Sequence, residues 1–330
     1  MRDHATNPAG RERPRVAFLG PEGSFTWRAA LQVFGADADY VDTPAHAVAR
    51  QVQRGTLRGG CDHGVLAMGN IKHGLVDNTF NSLHDVADIQ VIGEVVLPVR
   101  FHLASGGAPL EQVRRVASHE VALSQCRSRL DRLERRLQRP IERFPTTSTS
   151  ASADLARADA STAALCSIET VHRLGLRVLA SDVQDHPRNV TVFYVLGLGK
   201  PAPAADDNKT LFLVELVSGT NAMRRLLSVF EDNGVEVTML REQPIPNKSM
   251  PGDWAKAYII ECKGHITEPG VDRVYRALRR VDWNVLRGRR GRLLGSFPAA
   301  DVSKLDFGPI EYGAEHEKAI QPRLARTTPQ

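Results

Sequence analysis

Apolar and polar positions alternate in one rhythm up to about residue 199 and in another after it. RVAFLG (15–20) reads as a buried strand, and PEGSFTWRAALQVFG then turns through Pro21 and Gly23 into a helix ending at Gly35. HGVLAMGN (63–70), IQVIGEVVLPVRFHLAS (89–105), VRRVASHEVALSQC (113–126), IERFPTTSTSASADLARADA (141–160) and STAALCSIETVHRLGL (161–176) each supply a β-rich run, most followed by a helical one. RVLASDVQDHPRNVTVFYVLG (177–197) closes the region, with HPRN as a turn before a strand over 190–196. Strands alternating with helices predict an α/β fold with mostly parallel sheets. GKPAPAADDN (199–208) reads as a linker. After it, KTLFLVELV, NAMRRLLSVFEDNG, VEVTMLREQPI, DWAKAYIIECKG, EPGVDRVYRALRR and VDWNVLRGRRGRLLGSFP predict a βαββαβ unit.

Composition narrows the classes. The 330 residues suit two domains, and no apolar run is long enough to span a membrane. The polar opening MRDHATNPAGRERPRV has no apolar segment of a secretory signal and reads as a disordered leader. The four cysteines, Cys61, Cys126, Cys166 and Cys262, are widely spaced, which argues against a disulfide scaffold or zinc site and predicts a cytoplasmic protein. The net charge of +5 arises from two arginine runs, at 126–143 and 276–293. In the first, Leu130, Leu133 and Leu137 recur at helical spacing with Asp131 and Glu134 among the arginines. That pattern predicts a solvated amphipathic helix, and no aromatic interleaving or DNA-reading motif points to nucleic acid.

Several motifs in order give the chain a family resemblance. FLGPEGSFTWRAA is similar to GPxGTFSxxAA, and GVLAMGNIKHGLV lies where GVVPIENSxEGSV is expected. VIGEVVLPVRFHL, SHEVALSQC, TTSTSASADLA, AALCSIETVHRLGL, DHPRNVTVFYVLG and RLLGSFP resemble GExxLPIxHxL, SHPQALxQC, STAxAA, AAIAxxxAAxxYGL, DxxxNxTRFxVLG and LGSYP. Together they resemble prephenate dehydratase with a C-terminal ACT regulatory domain, over about residues 15–298. The resemblance implies a two-lobed, periplasmic-binding-protein-like α/β catalytic domain plus a βαββαβ, ferredoxin-like ACT domain. Lobe one would be 15–98 and 180–199, lobe two 99–179, the linker 200–208, the ACT domain 209–298 and the polar tail 299–330.

The implied activity is loss of carbon dioxide and the ring hydroxyl from prephenate, giving phenylpyruvate for phenylalanine biosynthesis. It needs no metal or organic cofactor. The substrate would be a small cyclic dicarboxylate bound between the lobes, with an amino-acid effector at the ACT domain, in a homodimer or homotetramer. Thr191 stands where the family's TRF threonine assists the leaving hydroxyl. The implied substrate contacts are Ser24, Thr26, Asn70, Thr147, Ser148, Thr149, Asn189 and Phe193. The implied effector contacts are Gly219, Ala222, Met223, Glu242 and Pro244, although the family's Glu-Ser-Arg positions here read Arg241, Glu242 and Gln243.

Two motifs depart from the pattern. The TRF arginine is Val192, and Gly69, Asn70 and Ile71 occupy the Glu-Asn-Ser positions. Losing a charged hydrogen-bond partner costs about 1.5–3 kcal/mol. Lys72 is the candidate to restore the missing charge and His73 the candidate titrating acid. An arginine returned to position 192 is expected to raise dehydratase activity. The departures leave two alternatives open. One is a non-aromatising prephenate decarboxylase, or a lyase for a prephenate analogue in specialised metabolism; the other is an inactive ligand-binding regulatory homologue.

Overall fold

The structure is a computed structural model and describes residues 13–70, 74–75, 77–216, 220–246, 254–280 and 291–305. The chain opens with β1 (Arg15–Phe18), α1 (Phe25–Phe34), β2 (Asp39–Asp42), α2 (Ala45–Arg54), β3 (His63–Asn70), β4 (Gly74–Leu75), α3 (Asp77–Asp85) and β5 (Ile89–Pro98). It crosses to β6 (His102–Ser105), β7 (Arg115–His119), α4 (Glu120–Gln125), α5 (Arg127–Leu137), β8 (Glu142–Thr146), α6 (Thr149–Ala158), β9 (Thr162–Cys166), α7 (Ile168–Leu174) and β10 (Arg177–Ala180). It returns through β11 (Val190–Leu198) and continues with β12 (Asn208–Leu216), α8 (Thr220–Glu231), β13 (Val237–Pro246), β14 (Trp254–Lys263), α9 (Pro269–Arg280) and β15 (Arg292–Pro298).

These strands form two sheets. The second segment builds a five-stranded sheet, ordered β10-β6-β9-β7-β8, with β7, β8 and β9 parallel. The first segment and the C-terminal βαββαβ unit share a ten-stranded sheet, ordered β13-β14-β12-β15-β5-β11-β3-β1-β2 with β4 on β3. Within the C-terminal unit, the order β13-β14-β12-β15 is the ferredoxin-like arrangement. Its two helices pack on one sheet face around Phe212, Leu226, Phe230, Val274 and Leu278.

β11 sits between two apolar layers because its side chains alternate. Phe193 and Val195 join Val16, Phe18, Trp27, Ala29 and Leu97 under α1. Tyr194 and Leu196 join Leu66, Met68, Phe80 and Leu83 on the opposite face, where Val192 also packs. α5 follows its leucine spacing: Leu130 is buried in the core of the second sheet, and Leu133 and Leu137 pack against it.

The seam between the two halves of the large sheet is narrow. β15 meets β5 at Gly295, opposite Val91. A Cβ on Gly295 would lie 2.1 Å from the Val91 carbonyl oxygen, so only glycine allows this approach. Beside it the buried Glu94 carboxylate accepts from Lys209 Nζ at 3.0 Å and from the Ala300 N–H at 2.8 Å. No helix among the described residues is long and apolar enough to cross a membrane. All four cysteines are buried free thiols.

Candidate functional site

Strand direction brings the site together. β1 and β3 run parallel, with Phe18 opposite Val65, so the 19–24 loop and the end of β3 lie at one sheet edge. β11 runs antiparallel to β3 and starts at that edge, with Thr191 opposite Asn70. In the second sheet the parallel strands end at His119, Thr146 and Cys166, each leading into a helix. Ligands of open α/β sheets bind at such carboxyl ends. The two edges touch. The Ser167 hydroxyl donates to the Gly23 carbonyl at 2.7 Å, and Thr170 Oγ1 donates to the same oxygen at 3.1 Å. Phe25 meets Phe101 edge to face, and Arg28 Nε lies 3.6 Å from Glu169 Oε1.

The glycine-rich loop is more committed to its own structure than its composition suggests. Ser24 caps α1, accepting from the Trp27 N–H at 3.2 Å while donating to the Leu19 carbonyl at 3.0 Å. The Gly20 N–H is bonded to Asp42 Oδ1 at 3.1 Å. The first-turn N–H groups left to a ligand are therefore those of Phe25 and Thr26, and the Thr26 side chain is buried. In the second sheet Thr147 is exposed, and Ser148 caps α6 by accepting from the Ala151 N–H at 3.0 Å. The Thr149 carbonyl accepts from the Ser152 hydroxyl at 2.6 Å.

Thr191 is half-buried and shares the α1 face of β11 with Phe193, which is fully buried behind it. Asn189 ties the two sheets together at the crossover. Its amide donates to the Val99 carbonyl at 3.1 Å and to Gln125 Oε1 at 2.8 Å. Alongside, the Asp185 carboxylate accepts the N–H groups of Ser128 and Arg129 at the start of α5, both at 3.0 Å. Lys72 and His73 lie outside the described residues, as does Gly219. Ala222 and Met223 pack on the C-terminal core from the first turn of α8. On β13, Glu242 bonds Lys256 at 2.7 Å and the Tyr258 hydroxyl at 2.8 Å, contacts that hold its carboxyl below the usual range. Pro244 on the same strand is exposed.

Three further groups lie inside quoted motif stretches that assign them no role. Ser150, in the first turn of α6, is fully buried, and its hydroxyl has no hydrogen-bond partner. His102 is buried on β6, and burial depresses its imidazole pKa, so the ring is held neutral. Arg173 on α7 has Nε and Nη2 shut off from solvent without an acceptor. Near it, burial pushes the Cys166 thiol up to about 12, which leaves it inert at neutral pH. Only the hydroxyl run at 146–150 offered a signal for any of these. Among the described residues no group of three His, Cys, Asp or Glu side chains converges as a metal site would require.

Comparison with known proteins agrees with this architecture. The prephenate dehydratase family model matches residues 16–201. Over 316 residues the chain is 31% identical to a prephenate dehydratase of Mycolicibacterium vanbaalenii, covering 91% of this chain and 96% of that one. It is 32% identical over 292 residues to a bifunctional chorismate mutase/prephenate dehydratase of Stutzerimonas stutzeri, covering 88% and 74% respectively. The crystal structure of a prephenate dehydratase from Arthrobacter aurescens in complex with L-Phe superposes with a TM-score of 0.74 at 26% identity, covering 94% of this chain and 98% of that one.

Proposed function

This chain belongs to the prephenate dehydratase family, and on that premise we propose that it converts prephenate to phenylpyruvate in the cleft between its two sheets, with Thr191 at the reacting hydroxyl. Prephenate carries a ring carboxylate, a pyruvyl carboxylate and a ring hydroxyl. The bond from the ring to its carboxylate breaks and carbon dioxide departs. The released electron pair becomes ring π density as the carbon–oxygen bond across the ring breaks. The hydroxyl leaves as water after taking up one proton. Electrons balance within the substrate, so no carrier enters the scheme. Aromatisation supplies the driving force, and the protein's task is to hold two carboxylates and assist the leaving oxygen. Thr191 Oγ1–H donates to that oxygen, and solvent resupplies the proton. Assistance of this kind is worth ~10²–10⁴ in rate.

The observation that carries this reading is the place of Thr191. It stands opposite Asn70 at the start of β11, on the α1 side, two residues from the Asn189 tie to the second sheet. The test is phenylpyruvate formation from prephenate, read by absorbance in alkali. Thr191→Ala should lower kcat by roughly 10²–10⁴, and Thr191→Ser should keep much of the activity. A Thr191→Ala enzyme as fast as the wild type would overturn the role. Carbon dioxide release with a surviving cyclohexadienol would instead identify a non-aromatising decarboxylase. Ligand-induced thermal stabilisation without turnover would identify a regulatory homologue.

The same reading makes 15–199 the catalytic domain, 200–208 a linker and 209–298 an ACT domain that senses an amino acid, with Ala222, Met223, Glu242 and Pro244 among its contacts. β13 is the terminal strand of the large sheet, and pairing with a second copy would bury that edge. The buried thiols fit a reducing cytoplasm.

A further inference from the structure

We infer that Arg173 is a substrate-binding residue that holds the pyruvyl carboxylate of the dianionic substrate, a role no motif of this chain assigns to it; the inference rests on the dehydratase reading above.

The placement is specific. The 19–24 loop presses on α7 at Gly23, whose φ is +87°. A Cβ there would lie 2.9 Å from Thr170 Oγ1 and 3.5 Å from Arg173 Nε. The guanidinium of Arg173 therefore lies against the loop, beside the contact that joins the two sheets. Helical side chains lean toward the helix N-terminus. In α7 that direction leads back to Ser167 and the carboxyl end of β9, the edge facing Thr191's sheet.

The Arg173 guanidinium carries donors that the protein leaves unmatched. Arginine stays protonated and has only donors. Arg173 Nε and Nη2 are buried and have no acceptor in the protein. The nearby carboxylate, Glu169, is four residues back on α7 and has Arg28 Nε 3.6 Å from its Oε1. Guanidinium is the side chain best matched to a bidentate carboxylate. A substrate carboxylate supplies the missing acceptor.

Chemistry decides which carboxylate. The ring carboxylate loses its charge as carbon dioxide forms. A cation fixed on it would favour the ground state over the transition state and slow the reaction. The pyruvyl carboxylate keeps its charge from substrate through product, so an arginine there binds both states equally. The same contact must then hold the product, phenylpyruvate.

That consequence gives the test. In the full-length enzyme, Arg173→Gln should raise KM for prephenate roughly 10- to 100-fold, the range of one charged hydrogen bond. It should weaken phenylpyruvate binding, measured by calorimetry and as product inhibition, by a matching factor, with kcat changed less than about threefold. Arg173→Lys should fall between the two. Unchanged KM and product affinity in Arg173→Gln would overturn the inference, and so would a loss confined to kcat. A raised KM with unchanged phenylpyruvate affinity would overturn the choice of carboxylate. Should Arg173→Gln fail to fold, Arg173→Lys decides: wild-type affinity for both ligands sinks the inference. A wild-type enzyme that does not turn over prephenate would sink the dehydratase reading itself, which is a separate result.

Discussion

Val192 faces Gly69 directly across β11 and β3. Both are positions where the chain departs from the resemblance that its motifs establish: Val192 for the TRF arginine, Gly69 for the glutamate of Glu-Asn-Ser. An arginine and a glutamate in this register would pair with each other. The two departures therefore fall on one cross-strand pair. Val192 packs with Tyr194 and Leu196 on the layer of Leu66 and Met68, while Thr191 takes the α1 face with Phe193. The valine does not leave a gap on the threonine's side.

The expectation that an arginine at 192 would restore activity changes accordingly. Val192→Arg should place a guanidinium against an apolar layer with glycine opposite, costing about 1–3 kcal/mol and leaving KM for prephenate no lower. Adding Gly69→Glu should recover part of that loss. Urea denaturation of the two single variants and the double variant, analysed as a cycle, should give a favourable coupling between 69 and 192. Additive losses would show that the two positions do not interact.

Much of this fold is legible in residue order, because local chemistry decides it. Ser24 and Ser148 cap the helices they precede, and Gly35 and Gly234 close theirs with positive φ. The change to βαββαβ from β12 onward is likewise written in the hydrophobic pattern. What resists reading is long-range. The β3–β11 register shifts between Val192 and Phe193, leaving Met68 as an extra residue on β3, and no local signal marks that bulge. The commitments of Gly20 to Asp42 and of Asn189 to Gln125 join residues 22 and 64 positions apart. Arg173 sits at a motif position where any residue is allowed, so only the three-dimensional approach of Gly23 draws notice to it.

Gly295 supports a prediction about the seam of the large sheet. Gly295→Ala would drive a methyl into the Val91 carbonyl, so β15 must draw away from β5. The cost should be about 1–3 kcal/mol, read as a lower urea midpoint. Hydrogen exchange should quicken along β5 and β15 while the five-stranded sheet keeps its protection. Uniform loss of protection in both sheets would show that the seam and the second sheet unfold as one unit.

A last prediction concerns pH. His84, near the end of α3, reaches Glu215 on β12 with Nε2 at 3.1 Å and Asp85 with Nδ1 at 2.9 Å. Its hydrogen bond to Glu215 raises its pKa above the ordinary value near 6.5, with Asp85 adding to the rise and burial opposing it. A proton held more tightly in the folded state stabilises fully below the unfolded pKa, and that gain fades as pH rises through the folded one. His63 and His102 act oppositely: burial lowers their pKa values, so they penalise the folded state as pH falls below about 6.5. The two effects occupy different windows. Above about pH 6.5 the melting temperature of the wild type should decline through the His84 titration, and His84→Gln should flatten that decline while leaving the acid limb in place. Because Arg292 on β15 also binds the Val86 carbonyl at the end of α3, His84 and Arg292 both join this helix to the C-terminal unit. The alkaline loss should therefore appear as faster hydrogen exchange at α3 and β12 before the five-stranded sheet responds. An alkaline limb equally steep in His84→Gln would assign it to another group.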